Sequence, residues 1–175
     1  MRRAVGALNQ SRLRYALTGA LAVSYYGRPR TTMDIDVLVV AKESELARLA
    51  EALTKRGLKT ETNRLHQVWR SKYRIATVSD SKSPHTLDVI FIDEGLERKA
   101  GFILGSRTYY QTAGSLILAK LRMIKATLQP ERAATDRQDI KAILQTTHIS
   151  LKSLRREARA QGTLELLNEV ISSHP

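Results

Sequence analysis

Cysteine is absent from all 175 residues. The chain therefore has no disulfide framework, no thiolate metal site and no thiolate nucleophile. Any metal must be held by carboxylates or histidine, a donor set that favours Mg²⁺ or Mn²⁺. Long apolar runs are missing too, and none approaches the roughly 20 residues needed to span a bilayer. The opening Met1-Arg2-Arg3-Ala4-Val5-Gly6 is basic but has no long apolar region behind it, which argues against a signal peptide and for a cytoplasmic protein with no membrane partner. No internal repeat and no low-complexity tract occurs. His66, His85, His148 and His174 share no ligand spacing, so no zinc site is read from them. Acidic side chains are scarce: 17 Asp and Glu stand against 29 Lys and Arg, a formal net charge of +12. That excess points to a polyanionic partner such as RNA, DNA or an anionic surface; the plainer explanation is a solubilising basic exterior.

What is present is enough apolar residue, 42%, for a core, in one domain or one domain with an appendage. Residues 2–14 read as a basic helix with Val5, Leu8 and Leu13 inward, followed by a strand over Tyr15–Thr18. Gly19-Ala20 turns into a helix bearing Ala22, Val23 and Tyr26, and Gly27-Arg28-Pro29-Arg30 is a loop. Asp34–Val40 is a strand apolar on both faces and is expected to be covered on both. An amphipathic helix covers 43–56, with Leu46, Leu49, Ala50 and Leu53 at helical spacing and Gly57 closing it. Thr60–Arg70 leans toward a strand ending near Val68-Trp69-Arg70. Tyr73–Val78 and His85–Ile92 are further strands, with a polar turn between them. Gly101–Tyr110 reads as a linker. Helices then follow over about 112–128 and 134–147, with one or two more from Ser150 on. The expected fold class is α+β: an α/β-type half over residues 1–108 and a helical region over 109–175.

Asp34 and Asp36 lie one residue apart on a strand, so they project from one face with Cα atoms about 6–7 Å apart. Two carboxylates so placed can converge on two divalent ions, the arrangement that in-line phosphoryl chemistry uses to stabilise attacking and leaving oxygens. Without cations the pair would repel beside an apolar run. An Asp-x-Asp pair alone is more often solvated, but its surroundings add to it. Gly19-Ala20, a turn between strand and helix about a dozen residues earlier, presents backbone N–H groups to an anion. Asp88 sits inside the apolar run Leu87-Asp88-Val89-Ile90-Phe91, where an unpartnered aspartate is uncommon. If the two strands pair side by side, Asp88 joins Asp34 and Asp36.

Gly19-Ala20, then Arg30-Thr31-Thr32-Met33-Asp34-Ile35-Asp36, then Leu87-Asp88-Val89-Ile90-Phe91, resembles the nucleotidyltransferase superfamily with its polymerase β-like fold. The form Gly27-Arg28-Pro29-Arg30-Thr31-Thr32-Met33-Asp34-Ile35-Asp36 is similar to the group related to AbiEii abortive-infection toxins, including type IV toxin–antitoxin nucleotidyltransferases. The resemblance covers roughly residues 13–145. It implies a mixed sheet flanked by helices followed by a C-terminal helical bundle, and transfer of a nucleoside monophosphate from an NTP to a hydroxyl with release of pyrophosphate. It implies that Asp34 and Asp36 bind two Mg²⁺ (or Mn²⁺) ions. Asp88 would bind one of them and orient or deprotonate the acceptor hydroxyl. Gly19 and the Ala20 amide would hold the triphosphate; Ala20 stands where the family has Ser or Gly and supplies no hydroxyl.

In the helical half, Ala113, Leu116, Ile117, Leu121 and Ile124 form one stripe, and Lys120 falls within it. An inward lysine is either a point charge for NTP phosphates or a stem that snorkels to solvent; the family's Lys-Leu pair at this place favours the former. Ile140, Ile143 and Leu144 face inward on the next helix, with Asp136 on the same face and Asp139 beside it. Asp136 either positions Lys120, a base or a ribose, or is an ordinary acidic residue near a helix start. Arg28 and Arg30 either reach the triphosphate or acceptor, or stay solvated; Arg30 is carried as nucleotide-binding. Trp69, Tyr73, Tyr109 and Tyr110 read as packing residues ahead of base-stacking ones.

Three functions follow. The leading one is an active, metal-dependent nucleotidyltransferase acting on RNA, such as a tRNA end, as the toxin of a toxin–antitoxin pair with a cognate antitoxin protein. The second keeps the enzyme and changes the acceptor to a small molecule or a protein. The third is an inactive, antitoxin-like binding module of the same fold.

Overall fold

The computed structural model describes residues 1–173; His174 lies outside the described residues. The chain divides into two compact units, one of residues 1–22 with 31–111 and one of residues 23–30 with 112–175. The short segment 23–30, including Arg28 and Arg30, thus belongs with the C-terminal helices and not with the sheet that precedes and follows it.

The first unit contains helix α1 (Arg2–Ser11), strand β1 (Arg14–Leu17), the start of helix α2 (Gly19–Tyr25) and strand β2 (Asp34–Val40). Helices α3 (Leu46–Lys55) and α4 (Thr62–Arg70) flank the two-residue β3 (Leu58–Lys59). Strands β4 (Ile75–Asp80), β5 (Thr86–Ile92), β6 (Arg98–Ile103) and β7 (Ser106–Gln111) complete it. Seven strands form one mixed sheet in the order β3-β4-β5-β2-β1-β7-β6. The central pair, β2 and β5, is parallel, and β2 is antiparallel to β1. Ile35, Val37 and Val39 of β2, with Leu87, Val89 and Phe91 of β5, are buried on one face of this pair. The other face of β2 is half-buried, so the cover expected on both sides is complete on one and partial on the other. That half-open face carries Asp36.

Two sequence expectations are corrected. Residues 62–70 form a helix, not a strand: Leu65, Val68 and Trp69 recur at three- and four-residue spacing, Leu65 is fully buried, and the Trp69 indole N–H donates to the Ala41 carbonyl at 3.0 Å. Residues 101–110 are not a linker but most of the β6–β7 hairpin. Its two-residue turn, Leu104-Gly105, has positive φ at both positions (47° and 79°), as a type I′ turn requires. The Arg98 guanidinium lies 3.9 Å over the Tyr109 ring and its N–H donates to the Tyr15 carbonyl, fastening the hairpin to β1.

The second unit is helical: α5 (Ala113–Ala126), α6 (Pro130–Thr146), α7 (Leu151–Ala160) and α8 (Leu164–Ser172), with residues 23–30. The α5 stripe is buried as its spacing predicts, and Lys120 is buried with it. Helix α6 starts at Pro130, four residues earlier than the apolar spacing suggests, because proline suits the first helical position. Its buried face reads Asp136, Asp139, Ile140, Ile143; Asp139, with Ile140 and Ile143, is fully buried, whereas Leu144 is half-buried. Among the described residues no helix is long and apolar enough to cross a membrane.

Candidate functional site

The parallel register of β2 and β5 sets Asp34 opposite Thr86 and Asp36 opposite Asp88. Neighbouring parallel strands lie about 4.8 Å apart and side chains in register share a face, so all three predicted aspartates come to one patch of one sheet face. The patch is built unevenly. Asp34, exposed at the strand start, accepts a 2.6 Å hydrogen bond from the Thr86 hydroxyl. The Thr32 hydroxyl turns back on the same residue's backbone, accepting from the Asp34 N–H at 3.2 Å and donating to its carbonyl at 2.9 Å. Asp88 has a buried Oδ1 with no hydrogen-bond partner. A carboxylate oxygen left so in an apolar strand is costly unless a cation or donor completes it.

The strand β1 leads into α2 through Thr18 and Gly19. Thr18 N–H donates to the Asp36 carbonyl at 3.0 Å, and the Thr18 hydroxyl donates to Gln111 Oε1 at 2.6 Å, which pins the turn between β2 and β7. Gly19 has φ +57°, and a Cβ there would lie 2.1 Å from Asp36 Oδ2. Glycine is thus required for two reasons: the left-handed backbone, and the space that the Asp36 carboxylate fills. Ala20, next in the seven-residue α2, is buried.

Whether these residues suit divalent ions is answered by their donors. Among the described residues no group of three or more Asp, Glu or His side chains is gathered so that it could hold a metal ion by itself. Mg²⁺, however, is commonly bound by one or two carboxylates, with water and substrate phosphate oxygens completing an octahedron. The hard oxygen donors of Asp36 and Asp88 in register, and the unpartnered Asp88 Oδ1, fit that incomplete kind of site.

In the second unit, Lys120 does not snorkel. It is 7% exposed, and its Nζ lies 2.6 Å from Asp136 Oδ1 and 2.9 Å from Asp139 Oδ2. Asp139, fully buried, also binds the guanidinium groups of Arg28 and Arg30, while Arg28 donates to Gln138 Oε1 at 2.8 Å. Arg28 and Arg30 are therefore not solvated loop residues. Three cations share two carboxylates, and the segment 23–30 is fixed to α6. A hydrogen bond from the Thr146 hydroxyl to the Tyr26 carbonyl adds to this, with Thr146 also seated against Gly27. Burial and the neighbouring Tyr25 push the Tyr26 phenol up to about 12, despite a bond from the Ala113 backbone.

Two residues of these clusters were not singled out from sequence. Thr86 carried no signal beyond its place two residues before Asp88. Asp139, the second aspartate of the Asp136-Arg137-Gln138-Asp139 pattern but not among the expected site residues, is the centre of its cluster. The i, i+3 spacing from Asp136 and the i, i+4 spacing to Ile143 were the available clues.

Comparison with protein-family models finds no match, and neither does comparison with curated protein sequences. Solved structures do match. An antigenic nucleotidyltransferase-like protein from Paracoccidioides brasiliensis aligns at 13% identity over 98% of this chain and 92% of its own, with a TM-score of 0.57. ANT(2'')-Ia in complex with adenylyl-2''-tobramycin aligns at 15% identity over 91% and 95%, with a TM-score of 0.61. The lincosamide antibiotic adenylyltransferase LnuA, lincomycin-bound, aligns at 16% identity over 80% and 91%, with a TM-score of 0.51. With its mixed sheet, flanking helices and C-terminal helical unit, the chain has the nucleotidyltransferase fold.

Proposed function

We propose that this chain is an enzyme that transfers a nucleoside monophosphate from an NTP to a hydroxyl acceptor and releases pyrophosphate. The observation that carries this reading is the in-register pair Asp36 and Asp88, with Asp34 on the same face and Asp88 Oδ1 lacking a partner. Asp34, Asp36 and Asp88 are the residues that would hold two Mg²⁺ or Mn²⁺ ions, which when bound neutralise phosphate charge as the leaving oxygen departs. Asp34 is oriented for this by Thr86. Asp88 also orients the acceptor hydroxyl and takes its proton. The tight seat of Asp36 on Gly19 fixes one carboxylate, and the Gly19 and Ala20 amides face the triphosphate. We assign residues 1–108 to this chemistry. In residues 109–175, Lys120 is assigned to triphosphate charge and Asp136 to holding Lys120; Arg30 is assigned to the nucleotide.

RNA is the proposed acceptor, supported by the net charge of +12. The further reading as a toxin with a cognate antitoxin partner is supported by the Gly27-to-Asp36 pattern alone. A small-molecule acceptor is the second reading, favoured by the fold likeness to ANT(2'')-Ia and LnuA. Incubation of the purified chain with Mg²⁺, NTPs radiolabelled at the α-phosphate and total RNA separates the two. Label on RNA, declining steeply with added salt, is the expected result. No transfer to RNA from any NTP, with label moving to an antibiotic hydroxyl, would favour the second.

A further inference from the structure

Helix α7 presents Lys152, Arg155, Arg156 and Arg159 to solvent. The positions fall at i, i+3, i+4 and i+7, so the four cations form one face of the helix. With Ser150 and Ser153 they line a surface groove of about 640 Å³. The opposite face, Leu154 and Ala158, is buried. Arg156 has a carboxylate near it, Glu157 at 3.7 Å, and its guanidinium donates to Ser153 Oγ at 3.3 Å. Among the described residues Lys152, Arg155 and Arg159 meet no carboxylate. Like charges three and four residues apart destabilise a helix. Such a face, with a carboxylate near only one of its four cations, is suited to an external polyanion.

We infer that the cationic face of α7 is a docking surface for the phosphodiester backbone of an RNA. Lys152 to Arg159 spans about 10 Å along the helix axis, long enough to face successive phosphates of one strand. Three of the four cations are arginines, whose planar fork binds phosphate oxygens in pairs. A lipid surface is the poorer match: interfacial helices bury an apolar face in the membrane, and here that face is already covered by the protein. The choice of RNA rests on the proposed transferase reading, whereas the surface itself does not.

The test is equilibrium binding of the full chain to a fluorescently labelled single-stranded RNA, without NTP, across a range of salt. The variant is Lys152→Gln/Arg155→Gln/Arg159→Gln, with Lys152→Arg/Arg155→Lys/Arg159→Lys as the charge-keeping control. The triple Gln variant is expected to bind at least about tenfold more weakly, and its slope of log K on log salt to be shallower by about 2, at roughly 0.7 per lost phosphate contact. The control keeps the wild-type slope. Arg155→Gln alone, expected to lower the slope by about 0.7, serves if the triple variant melts early. An unchanged slope overturns the proposal. So does tighter binding to DNA of the same sequence, or a defect seen only with anionic phosphatidylserine vesicles. Because no NTP is present, the two proposals fail separately: RNA binding through α7 without nucleotide transfer contradicts the transferase reading, and transfer with an unchanged salt slope contradicts this one.

Discussion

The carboxylates of the two units are treated in opposite ways. On α6, Asp136 and Asp139 are saturated: Lys120, Arg28 and Arg30 surround them. On the sheet, Asp34, Asp36 and Asp88 share a face; among the described residues no lysine or arginine is ion-paired to Asp34 or Asp88, and Asp88 keeps an unpartnered buried oxygen. A buried carboxylate with its cations is already neutralised and holds those cations in place. A buried carboxylate oxygen without one, as at Asp88, is suited to a cation from outside. The same residue type in one chain therefore marks two roles, and the difference is in the partners.

Removing charge should separate those roles. Asp36→Asn is expected to lower nucleotide transfer by about 10⁴-fold, roughly 5 kcal/mol of barrier. Its melting temperature should hold or rise, because like charges on the sheet face are relieved. A fall in both would make Asp36 structural. Asp139→Ala should do the reverse first: it takes a fully buried carboxylate from the buried Lys120 and the half-buried Arg28 and Arg30 and is expected to cost about 3–5 kcal/mol in urea unfolding. Asp139→Ala unfolding at the wild-type midpoint would remove the contrast between the units.

Gly19→Ala probes the join of backbone and carboxylate. The added Cβ falls 2.1 Å from Asp36 Oδ2 at a positive φ, so the variant should lose about 1–2 kcal/mol and transfer activity together. The smallest effect is expected at Glu43, a carboxylate that is paired yet open to solvent. Hydrogen bonds from Arg70 and then His66 hold it below its usual 4.5. A lowered folded value means that its contribution is present above pH 4.5 and is lost as pH falls through that lowered value. Melting curves of wild type and Glu43→Gln should differ slightly near neutrality and converge in acid.

The residues of the sheet site were readable because two periodicities agreed. Asp-x-Asp gives one face of a strand, and an aspartate within Leu87–Phe91 marks a strand with a polar reason. Parallel pairing of the two strands then follows as one topology among few. The α3 and α5 faces were readable for the same reason: leucine spacing over three turns has no rival. The misread parts lacked such redundancy. Thr62–Arg70 has too few apolar residues to separate a helix from a strand, and its contacts to Ala41 and Glu43 lie far off in sequence. The hairpin turn uses Leu104-Gly105 where Asn-Gly would have announced it. The cluster at Asp139 was the least readable, because its partners Arg28 and Arg30 are about 110 residues away along the chain and a loop arginine gives no sign of what it binds.

The central claim is that Asp36 and Asp88 form an incomplete cation site finished by a nucleotide. Electron paramagnetic resonance titration of Mn²⁺ into the full chain, with and without a non-hydrolysable NTP analogue, tests it directly. Binding strengthened by the analogue in wild type and lost in Asp88→Asn is the expected result. Mn²⁺ binding that is equal in wild type and Asp88→Asn, or indifferent to the analogue, would contradict it.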